Sequence, residues 1–140
     1  SEEIETEYVG DDGTDNPTEI SDITMLHPDD FASLLDDNTN FQIQILLAIQ
    51  NLTIRGESTY GLAIKEQLEE VYRANEVHPG RLYPNLDQLE ERGLIDKEQI
   101  DDRSNAYNLT PTGKGFLKKY ANTTLGLING EEFEDIVGLA

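Results

Sequence analysis

The chain has 140 residues, the usual length of one domain, and 36% of them are hydrophobic, which is enough to bury a core. Cysteine is absent, which excludes disulfides and thiol chemistry, and two histidines leave too few ligands for a zinc site of the usual kind. There is no apolar run of membrane-spanning length and no signal peptide, so we expect a cytoplasmic protein without a metal or a cofactor.

The net charge of -19 is distributed unevenly along the chain. Residues 1–40 contain thirteen acidic residues and no Lys or Arg, and residues 131–140 contain four acidic residues and no base. Residues 41–130 contain twelve acidic residues and all ten Lys and Arg residues. We therefore expect one domain over 27–130, with a flexible acidic arm over 1–26 before it and an acidic tail after it.

Three helices are predicted in the first half of this domain. Pro28 favours the start of a short helix, in which Phe31 and Leu34 share an apolar face. Residues 41–52 are dense in Ile and Leu and predict the first core helix. A second core helix follows a cap at 58–59, and its predicted inward-facing side chains are Leu62, Ile64, Leu68 and Val71.

The clearest periodicity belongs to the next helix. Leu82, Leu86 and Leu89 recur at i, i+4 and i+7, which places them in one apolar stripe, here called the leucine stripe. Pro79 suits the first turn of this helix, and Gly93 suits its C-terminal end. These residues therefore predict an amphipathic helix over about 80–91.

A β-hairpin is predicted directly after this helix. Residues 94–100 and 106–109 are strand candidates, and residues 101–105 form a polar turn between them. Thr110 then caps a last helix over 111–128. Helix, strand, turn and strand make up the second half of a winged helix-turn-helix, whose helix enters the major groove of DNA and whose hairpin is the wing. The predicted fold is mainly α with a small β-hairpin, a winged helix-turn-helix with flanking N- and C-terminal helices.

Polar side chains beside the leucine stripe are the candidates for reading bases. Arg81 suits guanine, and Asn85 and Gln88 suit adenine, through two hydrogen bonds each. Pro84 inside a helix predicts a distortion that aims Tyr83 and Asn85 into the groove, although a plain packing kink and a solvated surface are the alternatives. The candidate DNA contacts are Thr59, Tyr60, Arg81, Tyr83, Pro84, Asn85, Gln88, Lys97, Arg103, Ser104 and Asn105.

The last helix is the candidate dimer seam. A lone amphipathic helix on a small domain gains little stability by itself, so a second copy is the expected cover for its apolar side. The short helix near the start of the domain is expected to join the same seam. The candidate dimerisation residues are Phe31, Leu34, Phe116, Leu117, Tyr120, Leu125 and Ile128.

Three motifs give the chain a resemblance to the PadR family of transcriptional regulators. Residues 60–64 read YGLAI, residues 80–90 read GRLYPNLDQLE, and residues 107–113 read YNLTPTG. They resemble the start of the family's second helix, its recognition helix and the end of its wing, in that order. The resemblance implies a homodimer that binds a pseudo-palindromic operator in double-stranded DNA, most often as a repressor.

The acidic composition also resembles that of proteins from salt-loving archaea. Haloarchaeal PadR-like regulators, including ones linked to oxidative stress, combine both features, so binding at high salt and a stress response are expected. Monovalent cations are then expected between the acidic protein and DNA, and no membrane partner is expected.

A second class of function stays open. An acidic winged-helix interaction module, such as a DNA mimic or antirepressor, fits the net charge but not the concentration of basic residues in the middle segment. The charge on the face with Arg81, Asn85 and Arg103 distinguishes the two readings. The sequence has no Walker loop, no nucleophile elbow and no paired carboxylates near a histidine, so an enzyme is not expected.

Overall fold

The computed structural model describes residues 26–72 and 75–132, and these residues form five α-helices and one two-stranded hairpin. The elements are α1 (Pro28–Asp37), α2 (Asn40–Ile54), α3 (Gly61–Tyr72), α4 (Pro79–Glu91), β1 (Ile95–Gln99), β2 (Asn105–Leu109) and α5 (Pro111–Asn129). Their order confirms the predicted winged helix-turn-helix with flanking helices. The predicted flexible arm, except for its last residue, and residues 133–140 of the predicted tail lie outside the described residues.

The chain divides into two compact units. One unit runs from Asn38 to Gly113 and contains α2, α3, α4 and the hairpin. The other unit contains α1 and the part of α5 from Lys114 onward. The winged helix-turn-helix is thus one unit, and α1 and most of α5 belong to the other.

The core of the first unit is built on α2. Its side chains Ile45, Leu46 and Ile49 are completely buried, and α2 contacts α3, α4 and β2. A capping box begins the helix: the Gln42 backbone N–H donates to Thr39 Oγ1 at 3.2 Å, and the Thr39 N–H donates to Gln42 Oε1 at 3.0 Å. These two bonds satisfy backbone donors that helix starts leave open.

Helix α3 agrees only in part with its predicted apolar face. Ile64 and Leu68 are buried as predicted, but Leu62 is 61% exposed and Val71 is 53% exposed. Leu62 is two residues from Ile64, which is about 200° around a helix, so the two cannot share a face. Val71 lies in the last turn of α3, where it lines an open groove with Ile54.

The predicted hairpin is antiparallel, and each of its strands has one buried side chain. Ile95 pairs with Leu109, and Lys97 pairs with Tyr107. Ile95 and Tyr107 are buried; the other side chains of β1 are exposed, and those of β2 are half-buried or exposed. Burial raises the pKa of the Tyr107 phenol above its ordinary value.

The end of the hairpin is tied closely to the start of α5. Thr110 Oγ1 donates to the Gly93 carbonyl oxygen at 2.6 Å and accepts the Gly113 N–H at 3.0 Å, which confirms Thr110 as the cap. Gly113 lies against the backbone of Leu94, and a Cβ at this position would be 3.1 Å from the Leu94 carbonyl carbon. Position 113 therefore requires glycine, because the backbone of Leu94 leaves no room for a side chain.

Candidate nucleic-acid interface

Helix α4 is fixed by its leucine stripe, as predicted. Leu82, Leu86 and Leu89 have no exposed surface, and α4 contacts α2, α3 and β1. His78 caps the helix, since its Nδ1 accepts the Gly80 N–H at 2.9 Å, and Gly93 follows the helix with a φ of +78°. With one face fully buried, the remaining faces of α4 are available for a ligand.

The most outward positions of α4 are partly acidic. At about 100° per residue, Pro84, Asp87 and Glu91 lie roughly opposite the leucine stripe, and all three are exposed. The helix is continuous through Pro84, so the predicted distortion does not break it. Two carboxylates on this face would repel DNA phosphates unless cations lie between them.

Arg81, Asn85 and Gln88 form a polar stripe along one flank of α4. The side-chain amide of Gln42, on α2, donates from Nε2 to Asn85 Oδ1 at 2.9 Å and to Gln88 Oε1 at 2.8 Å. Asn85 Nδ2 in turn donates to the Arg81 carbonyl oxygen at 2.7 Å. Each amide oxygen therefore already accepts one bond within the chain, so the expected pairing of Asn85 and Gln88 with adenine would need that oxygen to serve a second donor or to leave Gln42.

Gln42 itself was not predicted to belong to the site. It is 1% exposed, and its Oε1 accepts from the Thr39 N–H at 3.0 Å and from Arg92 Nη1 at 2.9 Å. The same Nη1 donates to Asn38 Oδ1 at 2.9 Å. All four hydrogen-bonding positions of the buried amide are satisfied, so Gln42 joins the start of α2 to the polar stripe. The spacing of Thr39 and Gln42 marks a capping box, but the long-range partners leave no signal in the sequence.

Two aromatic contacts hold the N-terminal half of α4. The Arg81 guanidinium carbon lies 3.8 Å from the centroid of the Phe41 ring, a cation–π contact that leaves the N–H groups at the edge of the stack. The Tyr83 ring covers the first residue of α3, where a Cβ on Gly61 would be 2.8 Å from two ring carbons. Gly61 thus allows the Tyr83 ring to approach closely, and both Arg81 and Tyr83 remain exposed.

The tip of the wing carries Arg103 in a structured turn. The Arg103 N–H donates to Asp101 Oδ1 at 2.8 Å, and the Ile100 N–H donates to the Ser104 carbonyl oxygen at 2.9 Å. The bond from the Arg103 backbone lowers the pKa of Asp101, which therefore stays charged beside the arginine. Arg103 is exposed, whereas Ser104 and Asn105 are half-buried. Of the predicted wing contacts at the tip, Arg103 is the best placed.

The predicted contacts at 59–60 and at Lys97 have roles inside the fold. Thr59 is 6% exposed, and its carbonyl oxygen accepts the Tyr107 N–H at 3.0 Å, so this residue anchors the wing. Tyr60 forms an isolated bridge with Ala106 and keeps its ring partly exposed. Lys97 Nζ lies 3.9 Å from a Glu90 carboxylate oxygen. The burial of Thr59 corrects the expectation that its side chain contacts DNA.

Several predicted dimer contacts are buried within the single chain instead. The Phe31 and Phe116 rings have centroids 5.6 Å apart, and the Tyr120 ring stacks on Phe116 with centroids 6.2 Å apart. Phe116 and Leu117 have almost no exposed surface, and Phe31 has little. A side chain without exposed surface cannot contact a second copy directly, so these residues join α1 to α5 within the second unit.

The far end of α5 does expose apolar side chains. Leu125 is 59% exposed and Ile128 is 74% exposed, and Leu127 between them is also exposed. Leu34 on α1 is half-buried. The exposed members of the predicted set are therefore concentrated in the last two turns of α5.

Two further kinds of feature are absent from residues 26–72 and 75–132. No group of three or more His, Cys, Asp or Glu side chains in these ranges is arranged to hold a metal ion. None of the helices there has the length and apolar character needed to cross a bilayer.

Comparison with known proteins bears on the same segment. The family model described as the transcriptional regulator PadR-like family matches residues 50–119, which is half of the chain. The complex structure of hsRosR-S1 is 44% identical, with a TM-score of 0.57, and the match covers 65% of this chain and 76% of that chain. The structure of Halobacterium salinarum RosR grown from NaBr gives the same identity and TM-score, with 64% of this chain and 76% of that chain covered. No curated protein sequence matches.

Proposed function

The chain belongs to the transcriptional regulator PadR-like family, and from that premise we propose that it is a repressor that binds a pseudo-palindromic operator as a homodimer. It is a DNA-binding regulator of transcription, and its solved relatives include a haloarchaeal winged-helix regulator. The repressor role, the operator symmetry and the dimer are the proposal.

The observation that carries the proposal is the surface of α4. Its leucine stripe is completely buried, so Arg81, Tyr83 and Gln88 are presented outside the core, in the same unit as a wing with Arg103 at its tip. A winged helix-turn-helix uses these two elements for the major groove and for the adjoining backbone or minor groove. Each subunit would place α4 in one half-site, and the two half-sites would lie roughly 34–36 Å apart.

The apolar end of α5 supports the homodimer. Leu125 and Ile128 are three residues apart and share one helix face, which is largely exposed in the single chain. We propose that this face packs against its copy across a two-fold axis, with the Phe31–Phe116 stack supporting α5 from inside. The double variant L125E/I128E should be monomeric by light scattering, and T124E, at an exposed position, should remain dimeric. A double variant that stays dimeric would remove this seam.

Acidic groups near the DNA face support binding at high salt. Asp87 and Glu91 lie on the outward side of α4, and Asp101 and Asp102 lie beside Arg103 in the wing. An ordinary DNA-binding protein releases cations from the phosphates when it binds. A higher salt concentration opposes that release, so the affinity falls steeply as salt rises. Here monovalent cations would also be taken up between carboxylates and phosphates, which opposes that loss. We propose a shallow or inverted dependence of affinity on potassium chloride, and an indirect route for any response to oxidative stress, since cysteine is absent.

Selection from a randomised duplex pool tests the proposed function. The protein should enrich a motif with two-fold symmetry, and R81A should weaken binding to it by about 1–3 kcal/mol. K118A, which removes the same charge from α5, is the matched control and should bind normally. Affinity is then measured from low to molar potassium chloride. Failure to enrich any sequence at any salt concentration would reject the proposal and favour the acidic interaction module. A steep fall in affinity with rising potassium chloride would reject the role of cations.

A further inference from the structure

The orientation of the amides on the polar stripe is set from α2. We propose that Gln42 is a positioning residue that makes Gln88 a hydrogen-bond donor toward DNA, and so selects guanine over adenine at the base pair that Gln88 contacts. This inference deepens the proposed function and rests on it, because it requires that α4 reads DNA.

The orientation of Gln42 follows from two partners that can only donate. A backbone N–H and a guanidinium have no acceptor atom. The Gln42 atom that lies 3.0 Å from the Thr39 nitrogen and 2.9 Å from Arg92 Nη1 must therefore be its oxygen. The amide nitrogen of Gln42 is then the atom that faces α4.

The orientation of the two α4 amides follows in turn. An NH2 group donates, so the atoms of Asn85 and Gln88 that lie 2.9 and 2.8 Å from Gln42 Nε2 must be oxygens. Asn85 gives an independent check at its other end, which lies 2.7 Å from the Arg81 carbonyl oxygen and so must be Nδ2. Both ends of the network require the same arrangement, and turning any one amide around breaks at least one bond.

This arrangement leaves Gln88 with a donor for the groove. Gln88 is exposed, and its Nε2 makes no hydrogen bond within the described part of the chain. Guanine offers two acceptors in the major groove, whereas a glutamine that reads adenine must accept from the adenine amine. Pairing with adenine through two bonds needs the Gln88 oxygen beside its nitrogen at the base edge. Moving the oxygen there from its position 2.8 Å from Gln42 Nε2 would leave one amide proton of Gln42 unpaired, although Gln42 is 1% exposed. An unpaired buried donor is costly, so adenine is disfavoured.

Arg81 adds to the same preference. Its guanidinium only donates, and the stack on Phe41 holds its position beside Asn85. Asn85, with its oxygen on Gln42 and its nitrogen on the Arg81 carbonyl, serves as a brace between the two exposed members of the stripe. The polar stripe as a whole therefore presents donors, which fit the acceptor edge of guanine.

The test is a comparison of base preferences in selections from the same randomised duplex pool. Q88A, at an exposed position, identifies the base pair that depends on Gln88. At that pair the unaltered protein should prefer guanine to adenine by about three- to tenfold. Q42M removes the amide at similar length and frees Gln88 to turn, so the preference should fall to within about twofold. Q44M, at a half-buried position on the same helix, is the control and should keep the full preference.

The outcomes separate this inference from the proposed function. Three results would each overturn the inference: a preference for adenine at the Gln88-dependent pair, a folded Q42M variant with the full guanine preference, or a Q88A variant that changes no base pair. In each case an enriched motif would still support DNA binding. If no motif is enriched, the proposed function itself is rejected. Circular dichroism checks folding, and if Q42M does not fold, the preference of the unaltered protein and the effect of Q88A still decide.

Discussion

Replacing Gly113 by alanine tests how the wing is joined to α5. The added methyl carbon would lie 3.1 Å from the Leu94 carbonyl carbon, closer still to the Leu94 oxygen, and 3.4 Å from Leu109 Cδ2. The Leu94 oxygen also accepts the Thr110 N–H at 3.1 Å. Because the obstacle is mainly backbone, it cannot rotate away as a long side chain would.

The expected loss of stability has two parts. Forcing extra volume into a packed site costs about 1–3 kcal/mol. Any shift that relieves the overlap stretches the bond from the Thr110 N–H to Leu94 or the bond from the Gly113 N–H to Thr110 Oγ1, and each is worth about 0.5–1.5 kcal/mol. We therefore expect G113A to lower the free energy of unfolding by about 2–4 kcal/mol, against a total of about 5–15 kcal/mol for a typical domain.

Guanidinium unfolding followed by far-UV circular dichroism, at one fixed salt concentration, measures this loss. T112A is the matched control, because Thr112 is an exposed neighbour in the same first turn of α5 and its loss should change stability by less than about 0.5 kcal/mol. If G113A and T112A unfold with free energies within that margin of each other, the close approach to Leu94 does not constrain the fold and the reasoning is wrong.

Two further predictions concern the turn of the helix-turn-helix and the contact between α3 and α4. G61A should displace the Tyr83 ring and weaken operator binding as much as Y83A does, with a change in stability below about 1 kcal/mol; normal operator affinity would contradict this. The Glu69 carboxylate accepts from Lys65 at 2.9 Å and from the Val77 N–H at 2.7 Å, and these bonds lower its pKa. The stability that the Glu69 carboxylate adds is therefore complete above its pKa in the unfolded chain, and it is lost as the pH falls through its pKa in the folded chain. E69Q should accordingly be less stable than the unaltered protein at neutral pH, and the two should become equally stable in acid. Equal stability of the two at neutral pH would refute this.

Local signals predicted most of the helices and the hairpin. The leucine stripe follows from spacing alone, and all three of its members are completely buried. Thr110 and Gly93 were identified as helix ends because the hydroxyl and the positive φ act within a few residues. Leu62 is apolar, which favours the core, but its spacing from Ile64 places it on another face of α3, and there periodicity outweighs composition.

The site was less predictable because it depends on contacts between distant residues. Gln42 meets Asn85 and Gln88 across more than forty residues of sequence, and no pattern in the sequence shows which polar residues will meet. The amphipathic pattern of α5 predicts a dimer seam that includes Phe116 and Leu117. Periodicity identifies an apolar face but does not say whether the same chain or a second copy covers it, and here the chain itself covers these two.

The buried position of Gln42 has a consequence for how such regulators diverge in evolution. After a gene duplication, a paralogue with an identical recognition helix would accept adenine as well as guanine at the Gln88 pair if it replaced this single interior residue, since Gln88 would then be free to turn its oxygen to adenine. Its set of target genes would broaden without any change at the DNA-facing surface. Assigning operators to paralogues by comparing α4 alone would therefore group proteins that no longer control the same genes, and position 42 belongs in that comparison.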